Sequence, residues 1–559
     1  MESVIRTAIE DALAALGIEG VDFTIEHPGD TTHGDYATNA AMIAAKKAGK
    51  NPRELAEQIV SELDEEIEYV EKIEIAGPGF INFHLAREFF TGELERILHE
   101  GVAWGKHDVW AGKRVVVEYT DPNPFKEFHV GHLFTNSVGE SIARLFMFAG
   151  ADTKRVNYQG DVGMHVAHAI WGMQQMGLSI ESDFTARDLG KAYALGATAY
   201  KDDETAAAAM KAINKALYER SDEALNVLYD KGREASLTYF ETIYKIIDTQ
   251  FDKYFFESEA APKGKEIVLA HPEVFKESDG AHVFKGEEYG LHTRVFLNSE
   301  GLPTYEAKEL ALAQIKDEAF HYDHSVISTA NEISDYFKVL KKAMSFVYPA
   351  LEAKTEHIGH GMVKLAEGKM SSRTGNVIAA IDFINEIADA AEEKMRQTGT
   401  AGDHSLALDI AVGAIKYATL RSSIGQDTIF NKEQALSFEG DSGPYLQYTH
   451  ARIVSVLAKA AAVGVTLSSN RAPEQPYDIE RVLYRFPEVV QSALAERQPH
   501  LVATYLTELA GTFNSFYANE KIADPTDPLS GYKAALAKAV SITLKNGLWL
   551  LGIKAPEKM

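Results

Sequence analysis

The sequence predicts an α/β protein. A parallel-sheet domain with a helical insertion is preceded by a small α/β module and followed by an all-α bundle. Three observations predict this. Val115, Val116 and Val117 form a β-branched run that reads as a buried strand, and a polar loop with Pro122 and Pro124 follows it. Phe134, Val138, Ile142, Leu145 and Ala149 then fall at helical spacing, so residues 113–149 read as strand, loop and helix. Beyond about residue 390 the pattern turns almost wholly helical.

The first 109 residues form a unit of their own. An amphipathic helix opens it, and Asn51-Pro52 starts another, with Asn51 as the cap. Alternating apolar residues flank Gly77-Pro78-Gly79, which is a hairpin signal. Phe80 and Asn82 lie just after that turn, where plain strand packing explains them better than a ligand role. In the next region, 110–395, a second strand covers 153–158 and ends in Gly160-Asp161-Val162-Gly163, a loop at which a parallel sheet would open its site. From about 172 to 284 the chain is helical and charged, and we expect an inserted subdomain there. Strand–helix alternation is expected to resume at 295–297. The stretch 396–559 contains Tyr445, Tyr448, Tyr505, Phe513, Phe516 and Tyr517 at helical spacing; most should be core, and a minority could stack on bases.

Composition bounds the function. At 559 residues the chain suits three or four domains, and 45% hydrophobic residues suit globular cores. It has no apolar run long enough for a membrane span, and its acidic amphipathic start is unlike a targeting peptide, so the cytosol is expected. Without cysteine there is no disulfide, thiolate metal site or cysteine nucleophile. The formal charge of −26 argues against broad binding to DNA or other nucleic acid. Residues 431–559 are neutral, with 13 basic and 13 acidic side chains, so all of the excess lies upstream.

Two motifs carry chemistry. His129-Val130-Gly131-His132 stands where the strand's loop meets the helix. There free amides and the positive end of the helix dipole suit phosphate, and two imidazoles can donate to it. By itself the string is equally a helix start with two solvated histidines. A second copy, His357-Ile358-Gly359-His360, precedes a strand-like stretch rather than a helix and is rejected as a phosphate loop. The other motif is Lys369-Met370-Ser371-Ser372, followed by Arg373 and Gly375. It places cations and hydroxyls in a loop suited to a triphosphate, 240 residues after His129.

On these residues the sequence resembles the class I aminoacyl-tRNA synthetases, whose fold is Rossmann-like, and more narrowly the arginyl-tRNA synthetases. His33-Gly34-Asp35-Tyr36 and Gly77-Pro78-Gly79-Phe80-Ile81-Asn82 are similar to that family's additional N-terminal tRNA-binding domain. Residues 121–132 are similar to its first signature. Residues 443–453 and the C-terminal ten resemble its stem-contact and anticodon-binding helical domain.

The resemblance implies activation of L-arginine by ATP, with Mg²⁺ accompanying the nucleotide, and transfer to tRNA(Arg) by a monomeric enzyme without a resident metal. Lys126, His129, His132 and Lys369 would be catalytic. ATP would meet His129, Gly131, His132, the Met362–Val363 backbone, Lys369, Met370, Ser371 and Ser372. Arginine would meet Glu118, Asn123, His132, Tyr305, Glu309 and Glu332. The tRNA would meet Phe80, Asn82, Tyr445, Tyr448 and Tyr517. Since Ser372 stands where other class I enzymes carry a lysine, Lys126 is expected to neutralise transition-state charge. Glu309 and Glu332 replace the family's aspartate and glutamine, and Asp121 replaces a small residue. Two other readings stay open on sequence: a nucleotidyltransferase acting on another small acid, and a noncatalytic tRNA-binding relative.

Overall fold

The valine run becomes the middle strand of a parallel sheet in the computed structural model, which describes residues 1–63, 67–365, 378–397 and 403–559. The chain makes two compact units. One holds Met1–Trp104, Val456–Phe486 and Thr512–Thr543; the other holds Gly105–Ser455, Pro487–Gly511 and Leu544–Met559.

In the first unit an antiparallel sheet contains β1 (Ile25–Glu26), β2 (Tyr36–Thr38), β3 (Val70–Ala76) and β4 (Phe80–Leu85), ordered β1-β2-β4-β3. The expected β3–β4 hairpin is present. Its turn needs glycine: Gly79 has φ +133°, and a Cβ there would lie 2.9 Å from the Pro52 carbonyl oxygen. Asn51 caps the Pro52–Glu62 helix by accepting the Arg53 N–H at 2.9 Å. Asp35, from the 33–39 motif, is buried. It accepts the Leu85 N–H at 2.8 Å and pairs with Arg481, which makes it a structural carboxylate. Asn82 is buried in β4 and Phe80 half-buried.

The second unit is built on β5 (Arg114–Glu118), β6 (Asp152–Gln159), β7 (Lys253–Phe256), β11 (His324–Ala330) and β12 (Thr355–His360). All are parallel, in the order β12-β11-β5-β6-β7. Val115, Val116 and Val117 are fully buried, each adding about 1.5–3 kcal/mol of apolar burial. From β5 the chain runs outward to β6 and β7, then returns to the other side for β11 and β12. The order therefore reverses beside β5, and a crevice opens at the carboxyl ends there. Glu118 closes β5 at that edge, level with Val156 and Ile327.

Three details depart from the sequence pattern. The stretch 172–284 is not purely an insertion, because it contains β7, an edge strand of the main sheet. Four residues of edge strand inside long helices leave almost no periodic signal. The apolar residues 295–297 belong to β10 (Arg294–Leu297), which joins β8 (Lys276–Ser278) and β9 (Ala281–Phe284) in a separate antiparallel sheet. The second histidine copy lies within β12 itself, where His357 stacks on Phe337 with ring centroids 3.9 Å apart.

The insertion helices Ala186–Asp202, Glu204–Glu219 and Glu223–Ile246 share an apolar core with Met164–Gln175. Among the late aromatics, Tyr505, Phe513 and Phe516 are buried and Tyr445 half-buried. Tyr448 is 36% exposed and Tyr517 38%.

Candidate active site

The loop after β5 is held in an unusual backbone path. Thr120, Asp121 and Phe125 have φ of +81°, +45° and +65°, which costs of order 1–3 kcal/mol at each non-glycine residue. Side chains fix it. Thr120 Oγ1 accepts from Asn136 at 3.0 Å, Asp121 Oδ1 from the Tyr158 N–H at 2.8 Å, and Asn123 Oδ1 from the Gly160 N–H at 3.1 Å. Ser236 Oγ accepts the Phe125 N–H at 2.9 Å. Asp121, at the position where the sequence departs from its family's usual small residue, is thus a loop anchor.

The helix that follows, Val130–Phe148, starts with His129 as its cap. The His129 N–H donates to His132 Nδ1 at 3.3 Å, and the two rings stack at 3.6 Å. The Val130 N–H is taken by the Ile378 carbonyl at 3.2 Å, whereas the Gly131 N–H makes no hydrogen bond among the described residues. A Cβ at Gly131 would come within 2.9 Å of the His129 ring, so glycine here keeps that ring in place.

Burial, and then the nearby Lys126 ammonium, lower the His129 pKa to about 4. Burial, His129 and Lys126 hold His132 well below the usual imidazole range. Both rings are therefore neutral donors near pH 7, available without the desolvation cost of a buried imidazolium. In the unliganded protein His129 should titrate near pH 4 by NMR and move upward when ATP is added; a midpoint near 6.5 without ligand would place the ring in water. Because the folded pKa is depressed, the unfolded chain binds protons first, and stability declines as pH falls from about 6.5 toward 4.

Lys126 lies over the Tyr193 ring at 4.8 Å and forms no ion pair among the described residues; burial lowers its pKa and Glu257 opposes this. Beyond it, four carboxylates face one another. Glu118 is buried and paired with the equally buried Lys316 at 2.7 Å. Glu257, at the end of β7, pairs with buried Lys308. Burial and then the Glu118 charge push Asp121 and Glu309 well above the usual carboxylate range. Glu309 has no hydrogen bond or ion pair among the described residues. Tyr158 and Tyr336 have buried hydroxyls without hydrogen-bond partners among the described residues, and both lie near the same carboxylates.

Tyr305 is 59% exposed, its ring 4.7 Å from the Lys308 ammonium. Glu332 is exposed in a 3₁₀ turn just beyond β11. The Met362 N–H already donates to Asp427 at 2.9 Å and its carbonyl accepts the Thr428 N–H at 2.9 Å. Val363 pairs with Thr428, β13 (Val363–Leu365) lying parallel to β14 (Thr428–Phe430). Lys369, Met370, Ser371 and Ser372 lie outside the described residues.

The pattern reading missed Glu257, Lys308 and Lys316. Glu257 had a usable signal: like Glu118, it is a glutamate at the end of a short β-rich run. The lysines had one too, since Tyr305, Lys308, Glu309, Leu312 and Lys316 share a helix face.

A parallel sheet whose order reverses, with a histidine-capped helix at its carboxyl edge, is the arrangement expected of a class I aminoacyl-tRNA synthetase. The comparisons give the family. Residues 93–432 match the model for the catalytic domain of class I (R) tRNA synthetases. Residues 3–85 match the arginyl-tRNA synthetase N-terminal domain, and 446–559 the DALR anticodon-binding domain. Arginine–tRNA ligase of Treponema denticola is 31% identical, with 99% of this chain and 98% of the relative covered. That of Shewanella pealeana is 30% identical, with both chains covered in full. The solved Thermus thermophilus arginyl-tRNA synthetase superposes with a TM-score of 0.82 at 26% identity over 100% of both chains. The chain belongs to the class I arginyl-tRNA synthetases.

Proposed function

We propose that the chain condenses L-arginine with ATP in the crevice at the end of β5 and passes the arginyl group to the 3′ end of tRNA(Arg), with its own residues in the following roles. As a family member it is an arginine–tRNA ligase that uses ATP. One observation carries the assignment of the pocket: four facing carboxylates meet only two buried lysines, so the site is short of positive charge. An amino acid bearing both an ammonium and a guanidinium supplies it, and Tyr158 and Tyr336 can accept from its N–H donors.

Neither step needs a protein nucleophile. The arginine carboxylate attacks the α-phosphorus, and the bond to the leaving pyrophosphate breaks. A terminal ribose hydroxyl then attacks the acyl carbon and AMP departs. His129, His132 and the Gly131 amide hold phosphate oxygens, and Lys126 and Lys369 neutralise the pyrophosphate, with Mg²⁺ entering on the nucleotide. Met370, Ser371 and Ser372 complete the clamp. Glu118 acts through Lys316, while Glu309, Asn123, Tyr305 and Glu332 surround the amino acid. Met362 can serve adenine through its backbone only if Asp427 yields its hydrogen bond.

We assign 1–109 and 396–559 to tRNA contact on either side of a catalytic 110–395, in a cytosolic monomer. Among the described residues no helix is long and apolar enough to cross a membrane.

The direct test offers each of twenty amino acids with ATP and total tRNA. Esterification of arginine alone is expected, and preferential charging of a neutral amino acid would refute the pocket assignment. Tyr448, exposed beside Phe438 at 6.0 Å, is the clearest stacking candidate for RNA. Tyr448→Ala should weaken tRNA(Arg) binding by about 1–3 kcal/mol with an unchanged melting temperature. A lowered melting temperature with intact affinity would make it a packing residue, and Phe80, Asn82, Tyr445 and Tyr517 can be sorted by the same pair of measurements.

A further inference from the structure

Lys416, on the helix His404–Leu420, is wholly buried and forms no ion pair among the described residues. Its side chain donates instead to two backbone oxygens, of Ile247 at 2.6 Å and of Gly552 at 2.9 Å. Gly552 closes the helix Ser530–Leu550 in a left-handed turn. Its φ is +68°, its N–H returns to the Trp549 carbonyl, and the Ile553 N–H returns to Leu548. A Cβ at Gly552 would lie 2.7 Å from the Lys416 nitrogen, so the turn is shaped around that side chain.

The helix Val130–Phe148 holds the same turn. Ser141 Oγ donates to the Leu550 carbonyl at 2.8 Å, and Arg144 Nη1 to the Trp549 carbonyl at 3.0 Å. A cation there meets the negative end of the helix dipole. Arg144 also pairs with Glu140 at 2.7 Å and with Asp248 at 3.0 Å. Buried Glu140 accepts the Tyr119 hydroxyl. Tyr119 is wedged against Gly139, where a Cβ would lie 2.2 Å from its side chain, and it directly precedes the positive-φ path that starts at Thr120. A continuous set of side-chain bonds therefore runs from the turn at 549–553 to the loop that carries Asn123 and Lys126.

We propose that Lys416 is a positioning residue for arginyl-adenylate formation. It seats the turn at 549–553 against the helix Val130–Phe148, and Arg144, Glu140 and Tyr119 pass that seating to the loop. The assignment rests on the reading above that this loop serves the activation step. Protonation sets how well the turn is seated. Burial, and then the Arg144 guanidinium, lower the Lys416 pKa to about 7; Glu140 and Asp248 oppose this, and Lys554, paired with Asp409 at 2.7 Å, adds to it. The neutral amine has two N–H donors for two carbonyls. The ammonium brings a third donor and a charge, with no partner for either among the described residues. The unfolded chain keeps this proton to a much higher pH, so Lys416 makes the fold more stable as pH rises from about 7.

The test compares the full-length chain with Lys416→Met, Tyr119→Phe and the double variant. It reads the single-turnover rate of adenylate formation with tRNA(Arg) present, the affinity for ATP, and hydrogen exchange at single amides. The Ile553 amide reports the turn. The Phe125, Tyr158 and Gly160 amides, bonded to Ser236, Asp121 and Asn123, report the loop. Lys416→Met leaves two buried carbonyls unmet, so exchange should quicken at both places and the chemistry should slow by about 2- to 30-fold. ATP affinity should hold, because the start of the histidine-capped helix is pinned separately through Ile378 and Ala380. The double variant should be no slower than the slower single one. The rate advantage of wild type over Lys416→Met should shrink as pH falls from about 8 to about 6.

Faster exchange at Ile553 alone, with the rate and the loop amides as in wild type, would make Lys416 a packing residue and overturn the proposal. Single effects that multiply in the double variant would take Tyr119 off the path and overturn it as well. If Lys416→Met does not fold, Ser141→Ala loosens the same turn by one bond, and the same rate and exchange comparison decides. Should the wild-type chain fail to esterify arginine, the activity reading falls, while the exchange data still decide whether turn and loop are coupled.

Discussion

Lys126→Ala is expected to slow single-turnover formation of arginyl-adenylate by about 10²- to 10³-fold, with arginine affinity nearly unchanged. Lys126 is half-buried beside both signature histidines and forms no ion pair among the described residues. A cation left unpaired in a partly dry site is poised for charge that develops later. That charge appears on the departing pyrophosphate, so the interaction strengthens toward the transition state and its loss falls on the chemical step. Removing one such donor costs about 2.7–4 kcal/mol in comparable sites. The assay should be run both with and without tRNA(Arg). A rate within about threefold of wild type would remove Lys126 from this role. A raised KM for ATP with kcat unchanged would make it a ground-state binder. Loss of the Tyr193 contact alone should be visible in the melting temperature and not in the rate of the bound complex.

Glu309→Gln and Glu118→Gln should behave oppositely, although both replace a pocket carboxylate. Glu309 has no hydrogen bond or ion pair among the described residues, and its burial disfavours the charged form. The glutamine variant should therefore fold at least as stably while arginine binding weakens by about 2–5 kcal/mol, because the desolvated guanidinium is left unpaired. Glu118 is already bound to Lys316. Its removal strands a buried ammonium and should destabilise the whole protein by about 3–5 kcal/mol.

The pH dependence follows from the direction of the Glu309 shift. A carboxyl raised by burial and by Glu118 holds its proton in the empty site. The folded protein then binds more protons than the unfolded chain above the ordinary glutamate range. Its stability therefore falls as pH rises through the raised value. Arginine favours the ionised form, so its binding should release protons and tighten as pH rises through the same window. Calorimetry in buffers of different ionisation heat measures that release. Citrulline, which is uncharged, should neither bind tightly nor release protons; tight citrulline binding would show that the pocket reads shape.

Local rules made much of this chain legible. The valine run, the proline loop and the apolar spacing after His132 specify strand, turn and helix within some forty residues. Asn51-Pro52 and Gly77-Pro78-Gly79 specify a cap and a hairpin in the same way, because each depends on backbone geometry close in sequence. The strand end and helix start that carry the proposed phosphate site were legible for the same reason, since they lie close together in sequence.

The proposed amino-acid pocket was decided elsewhere. Glu118 meets Lys316 across 198 residues and Glu257 meets Lys308 across 51. No periodicity links such pairs, because which carboxylate keeps a lysine and which stays bare is settled by burial after the strands have paired. The same limit hid β7, whose four residues are a strand only because β6 offers them an edge nearly a hundred residues earlier in the chain. It also sorted the aromatics of the helical bundle: Phe513 and Tyr517 share one helix and stack at 6.1 Å, yet only the packing of neighbouring helices buries the first and leaves the second in water.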